Sequence, residues 1–388
     1  MATRSVDVES LPPNKSQPSI IPTSRSIQRN MNLLKATRWL GVVVRFALVA
    51  CVVLVLLLLF WPKKQQHLSI SHEFGIGLDL SPSYATVAVS YPNGSVQTIA
   101  RVKGDDIYRE MMLRLSLSSS QHVHKPYDTM GDAISDIPRQ LWRDTWKKLG
   151  LPCSRDVGKL SRMIRALRDQ ASNFVGEPVS AAAISGPHLA ALYLEDIQDA
   201  FEYLSLAYID LGPSWSFQHI PTTLAAYAGN GLGICQDYKD EAACNEEERQ
   251  MRSKYVLAVG YTLTSLTTSL ATISDWQYLP ERSTLENLRL GYGYRHEESY
   301  WEEVRSVLRF PVVNTAIEKN ISVVLVSGDA DRKPRFIEVL GEVVDDVIDG
   351  VPAIADHEPE FSAAKGIAEL AKRSIFRQGK RQDAMSEL

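Results

Sequence analysis

The chain has 388 residues, with 42 Lys and Arg against 46 Asp and Glu, a formal net charge of −4. That mild acidity gives no electrostatic case for a nucleic-acid partner, and four cysteines are too few for a disulfide scaffold. Setting aside an N-terminal tail and an apolar span leaves roughly 315 residues, enough for one large domain or two lobes.

Residues 1–38 are rich in Ser, Pro, Asn and Arg, lack a hydrophobic period and read as a disordered tail. Leu40–Trp61 carries one charge, Arg45, and is unbroken apolar sequence from Phe46 on. As a helix it would be about 33 Å long, enough for a bilayer core. Trp39 and Trp61 sit where interfacial aromatics belong, and Arg45 can snorkel toward its own side. Residues 39–62 are therefore read as a transmembrane signal-anchor helix. A cleaved signal peptide fits less well, because no small-x-small site follows the run. Arg25, Arg29, Lys35, Arg38 and Arg45 outnumber Lys63 and Lys64 across the span, which puts the N-terminus in the cytosol. Everything after a linker over residues 63–72 then lies in the lumen of the endoplasmic reticulum or a later secretory compartment. On that side Asn93-Gly94-Ser95 and Asn320-Ile321-Ser322 are glycosylation triplets, although Asn93-Gly94 is also a hairpin-turn signal. Cys235 and Cys244 are close enough to bridge a polar loop. Cys153 is left over, and Cys51 falls within the span.

The folded part opens on Phe74–Val89, which reads strand, turn, strand. Ile76, Leu78 and Leu80 alternate with smaller or polar residues. Asp79 stands near the strand end, before a Ser-Pro-Ser turn, where a carboxylate can hold a metal-bound phosphate. Asp105–Leu117 is helical in pattern. Ser118–Asp136 is polar; His122 and His124 lack further ligands and read as a solvated loop. Pro138–Leu149 is a helix with Trp142 and Trp146 paired at i, i+4. Ser154–Phe174 is an amphipathic helix stopped by Gly176-Glu177-Pro178. Val179–Ile184 is a buried-type strand, Leu189–Leu206 a helix and Ala207–Leu211 a strand. Pro221–Ala228 suits a tightly packed helix, and Gly229–Gln250 reads as a polar loop. Tyr255–Ile273 is a strand pair turning near Tyr261–Ser265. Trp276–Leu279 and Glu281–Leu288 read as irregular. Helices over Glu297–Phe310, Lys333–Val344 and Phe361–Phe376 frame an apolar strand, Ser322–Val326, that ends in Ser327-Gly328.

Two hairpin starts, at Gly75 and Val256, each precede an α/β stretch, which suggests an internal duplication. The motifs resemble those of the actin, sugar-kinase and heat-shock ATPase superfamily, nearest to the ATPase domain of the seventy-kilodalton heat-shock chaperones. Ala166–Ala171 followed by Gly176–Pro187 is similar to that family's helix, Gly-x-x-Val and strand. Gly77-Leu78-Asp79-Leu80 with Tyr84 looks like the first phosphate loop, and Pro221–Tyr227 like the helix joining the lobes. Val324–Gly328 with Pro334 looks like the adenosine-side motif, and Ala363–Ala368 like the closing helix. The resemblance covers residues 73–376. It implies an α/β, two-lobed, actin-like fold (a duplicated ribonuclease H-like unit) preceded by one transmembrane helix. The first lobe would cover about 73–210 and the second about 211–376, with a tail over 377–388. It also implies ATP or ADP with magnesium as cofactor. The matching nucleotide-site residues are Asp79 (also the metal ligand), Ser81, Ser83, Tyr84, Gly260, Thr262, Thr264, Ser265, Gly328 and Asp329.

The departures from the family pattern bear on activity. Ser81-Pro82-Ser83 replaces Gly-Thr-Thr, and Pro removes an amide donor. Gly260–Ser265 replaces Asp-Leu-Gly-Gly-Gly-Thr, which loses a carboxylate and the glycine cradle. Ile220 stands where the family's catalytic Glu would be. Phosphoryl transfer depends on positioned charge, so the expected function is a membrane-anchored binding or scaffolding module with an unknown protein partner and little or no ATP hydrolysis. Two alternatives remain open here. One is an active ATPase that uses the loop hydroxyls. The other is a membrane-anchored glycosyltransferase using Asp329 and Asp331 as an Asp-x-Asp metal motif. The 67 residues from Gly260 to Ser327 predict a reduced second-lobe subdomain. The short stretch after the closing helix predicts no peptide-clamping β-sandwich.

Overall fold

The computed structural model describes residues 72–211, 219–274, 283–315, 320–330 and 333–386, together with positions 44, 45 and 49. The chain divides into a unit ending at Lys64 and a compact unit from Gln65 on; the fold below belongs to the second. The N-terminal tail, most of the Leu40–Trp61 span, Trp276–Leu279 and Asp331 lie outside the described residues. Among the described residues no helix is long and apolar enough to cross a membrane.

The first lobe begins with β1 (Gly75–Leu80), β2 (Tyr84–Ser90) and β3 (Val96–Lys103). Each is antiparallel to the one before, and Leu80 pairs with Ala85 across the tight Ser-Pro-Ser turn. Three helices follow: α1 (Asp106–Leu115), α2 (Met130–Lys148) and α3 (Arg155–Val175). The side chains of Asp105, Thr129 and Ser154 cap their N-termini, each satisfying an amide that the helix leaves unpaired. β4 (Ala181–Gly186) then runs parallel to β1, α4 (Leu194–Tyr203) crosses over, and β5 (Ala207–Tyr208) adds to the edge. β6 (Ile220–Pro221) also pairs with β4. The sheet order is β3-β2-β1-β4-β5.

The second lobe repeats the plan. β7 (Lys254–Tyr261), β8 (Leu266–Ile273) and β9 (Ser283–Asn287) form an antiparallel meander. α7 (Tyr300–Val313) leads to β10 (Ile321–Ser327), parallel to β7, and α8 (Pro334–Val347) leads to β11 (Ala353–Ala355). Its order, β9-β8-β7-β10-β11, matches the first sheet strand for strand in sequence order and direction. Two α/β lobes with the same mixed five-stranded topology are compatible with the duplicated ribonuclease H-like, actin-like fold.

Two helices sit between the sheets, α5 (Thr222–Gly229) and α9 (Ser362–Ser386). They share a buried cluster with both lobes that includes Ala183, Ile220, Leu224, Tyr227, Val256, Leu325 and Ile367. The helices cross on glycine. A Cβ on Gly229 would lie 1.8 Å from the Ser362 carbonyl oxygen, and one on Gly366 would lie 1.9 Å from that of Ala225. Only hydrogen fits there, so the crossing fixes the backbone separation of the two lobes. Each lobe has its own further core, around Ile76, Met111, Leu160 and Phe201 in the first and around Leu257, Val304, Val324 and Phe336 in the second.

Several local readings change. Pro138 lies inside α2, which begins eight residues earlier at Met130 because Thr129 and Asp132 form a capping box. The polar loop over 229–250 contains α6 (Glu241–Gln250), capped by Asp240. α4 starts at Leu194 rather than Leu189, and β5 is only two residues long. Part of the stretch read as irregular is β9, α7 continues through Pro311 to Val313, and α9 runs on to Ser386.

Candidate functional site

The parallel pairing of β1 with β4 sets Asp79 beside Ser185, and α5 begins with Thr222 at the same level. Asp79 is 5 % exposed. Its Oδ1 accepts hydrogen bonds from Ser185 Oγ at 2.7 Å and Thr222 Oγ1 at 3.0 Å. Burial pushes the carboxyl up to about 7, and the two hydroxyls oppose that only in part.

The cleft in front of Asp79 is lined by Ser81, Tyr84, Gly260, Thr262, Ser265 and Gly328, drawn from both lobes. Seven of the sequence-derived site residues, Asp79 included, are thus brought together. Ser83 and Thr264 are not part of this lining. Both hydroxyl oxygens are buried and make no hydrogen bond among the described residues. Ser185, Thr267, Ser269, Glu286, Ser327 and Arg101 were missed by sequence reasoning. Ser185 could have been found from the strand register, since a parallel neighbour of β1 had to end beside Asp79; the rest depend on lobe closure.

The cleft is narrow. Its enclosed cavity is about 70 Å³, enough for a few waters. The second loop is also chemically full. Thr262 N donates to the Ser265 carbonyl at 2.9 Å. Thr264 N and Ser265 N donate to Thr262 Oγ1 at 3.2 and 2.9 Å. Leu263 N donates to Asp329 Oδ1 at 2.9 Å. All four amides that could cradle a phosphate are thereby taken, one of them by a carboxylate of the chain itself. From outside, Tyr292 N and Gly293 N bind the loop carbonyls of Thr262 and Leu263 at 3.0 and 2.8 Å.

Asp329 also closes the mouth of the cleft. Its second oxygen accepts from Arg101 on β3 of the other lobe. Arg101 Nε lies 2.5 Å from Glu360, and its guanidinium stacks 4.5 Å above the Tyr84 ring. The pairing is possible because Gly328 turns the chain with φ +114°. A Cβ there would lie 2.1 Å from the Tyr261 carbonyl oxygen. Asp329 thus holds a cation with one oxygen and an amide with the other.

Tyr261 does not crowd the cleft. Its ring is fully buried in the second-lobe core, stacked 3.9 Å from Phe336 and hydrogen-bonded to Tyr300 at 2.8 Å, because strand alternation sends it to the far face of β7. Leu263 is about half exposed at the hairpin tip. Ile220 is buried at the head of α5, so no carboxylate stands where the family places its catalytic Glu. The magnesium–nucleotide group implied by the resemblance therefore does not fit the residues present.

No protein-family model matches this chain, and no curated protein matches it either.

Away from the cleft, Cys235 and Cys244 form a disulfide, a bond characteristic of oxidising compartments. Arg373 Nη1 approaches Cys235 Sγ at 3.2 Å, so the bridge sits against α9. Asn93 and Asn320 are both exposed. Asn93 Oδ1 accepts from Ser95 N at 2.9 Å within the β2–β3 turn. Cys153 is buried and donates to Asp199 at 2.8 Å; burial pushes its thiol up to about 12, which makes it inert.

Proposed function

We propose that this protein is a membrane-anchored binding or scaffolding module built on a degenerate, heat-shock-chaperone-like ATPase fold. It would bind a protein partner and hydrolyse ATP weakly or not at all. The observation that carries this is the self-occupied second loop, where Thr262, Ser265 and Asp329 take all four of that loop's amides. Pro82 in the first loop and the burial of Asp79, which raises its carboxyl, point the same way. Membrane attachment is supported by the apolar Leu40–Trp61 sequence. Placement of the domain in the secretory lumen is supported by the flanking charges, and an oxidising environment by the disulfide. A transferase that used Asp329 as a metal ligand would first have to break its pairing with Arg101.

The test is nucleotide binding and steady-state hydrolysis by the full chain in detergent, with and without magnesium, beside Asp79→Ala. The expected result is no saturable binding up to millimolar ATP and turnover equal in the two proteins. Micromolar binding with magnesium-dependent turnover that Asp79→Ala abolishes would instead make this a working ATPase.

A further inference from the structure

The helix α2 is inverted relative to an ordinary surface helix. Its charged side faces the lobe: Arg139 pairs with Asp136 and Glu195, Arg143 lies between Asp196 and Asp199, and Lys147 reaches Asp199 and Glu202. The partners beyond α2 all belong to α4. Long charged side chains, with Trp146 as an apolar foot on the core, hold α2 in place of close helix packing. Its apolar residues point outward. Met130, Ile134, Ile137 and Leu141 are 77, 61, 51 and 58 % exposed, with Trp142 at 61 % beside them. The i, i+4, i+7, i+11 spacing is that of a coiled-coil seam. These side chains present roughly 600 Å² of contiguous apolar surface, at the upper end of what a monomer leaves in one patch.

We infer that this face pairs with the same face of a second copy, α2 against α2, antiparallel about a two-fold axis between Ile134 and Ile137. In that register Met130 meets Leu141 and Ile134 meets Ile137, so every seam residue finds an apolar partner, twice over by symmetry. A parallel pair would set the acidic N-terminal ends, with Asp128 and Asp132, side by side; the antiparallel pair separates them. Burying both faces removes roughly 1,200 Å², at the lower edge of specific interfaces. The rim favours protein over lipid, because Asp144 borders the stripe and exposed Lys148 continues it, a mixed rim where a bilayer-surface helix carries mainly Lys and Arg.

The test uses the full chain in mild detergent with Cys51→Ser, since the remaining native cysteines are buried or bridged. Mixed Ile134→Cys and Ile137→Cys chains should form an intermolecular disulfide on mild oxidation, as should Met130→Cys with Leu141→Cys. Met130→Cys alone should not, because the two copies of residue 130 lie about 17 Å apart along the axis at 1.5 Å per residue. Ile134→Glu should weaken dimerisation by about a hundredfold or more in light scattering, with a melting temperature unchanged at dilutions where the wild type is monomeric and its Ile134 exposed. Cross-linking of Met130→Cys to itself would overturn the antiparallel pairing. A dimer indifferent to Ile134→Glu, or a monomer whose α2 instead holds it to phosphatidylcholine vesicles, would overturn the inference altogether.

Discussion

Asp79→Asn is the sharpest probe of the cleft. The carboxyl is raised from 3.8 to about 7 by burial, so between those values the folded chain holds a proton that the unfolded chain has released. Stability from this group is therefore full below about pH 4 and is lost as pH rises through 7. Three units at 1.36 kcal/mol each give a ceiling on the order of 4 kcal/mol. Asn does not titrate, and its amide oxygen can still accept from Ser185 and Thr222. Urea unfolding of wild type and Asp79→Asn at half-unit steps from pH 4 to 8 gives a difference curve in which all other titrating groups cancel. That curve should be near zero at pH 4 and should rise in favour of Asn by a few kcal/mol at pH 8. A flat curve, or one favouring Asp at high pH, would show that the carboxylate is solvated or paired with a cation and would refute the argument from burial.

Two other changes test the frame around the cleft. Gly328→Ala should destabilise the chain by roughly 1–3 kcal/mol of backbone strain plus the clash with the Tyr261 carbonyl, read as a lower urea midpoint; an unchanged midpoint would mean that the Gly328 turn is not held as described. Replacing Cys235 and Cys244 together by Ser opens a bridge of sequence separation 9. That should cost about 2.5 kcal/mol on the chain-entropy estimate, and non-reducing peptide mapping of wild-type secretory material should recover the two cysteines joined.

The parts of this fold legible in the sequence are those fixed by local pattern. The alternation of Ile76, Leu78 and Leu80 locates β1 and apolar runs locate β7 and β10, and the positions of Asp79, Gly260 and Gly328 at or beside their ends bring them to one cleft, because parallel strands β1 with β4, and β7 with β10, end together. What stayed hidden depends on long-range closure or on inverted polarity. Arg101 lies in no motif and 228 residues from Asp329, so the pairing that occupies Asp329 was hidden although Asp329 itself was singled out. α2 misled at both ends of the argument. Pro138 imitates a helix start, while the Thr129–Asp132 cap uses Asp where the usual pattern has Glu or Gln. The Trp142–Trp146 pair forms as expected, with ring centroids 5.3 Å apart, yet Trp142 stands in solvent because the charged face of the helix turned inward. α6 has no apolar period to reveal it and is held instead by the Asp240 cap and the disulfide.

The state of the second loop separates two ways of losing an ATPase. Removing carboxylates alone would leave a cradle of open amides that still binds nucleotide, giving a sensor that does not turn over. Here the chain also fills the cradle: Thr262 supplies a hydroxyl to two amides, and Asp329 presents a carboxylate to a third while gripping Arg101 across the cleft. A phosphate would have to displace a hydrogen-bonded carboxylate, part the lobes at Arg101 and leave Asp329 unpaired, each step costing net stability. Of these bonds, the one from Asp329 to Arg101 also ties the two lobes together. A ligand that opened this cleft would therefore have to recompense Arg101 with an anion of its own.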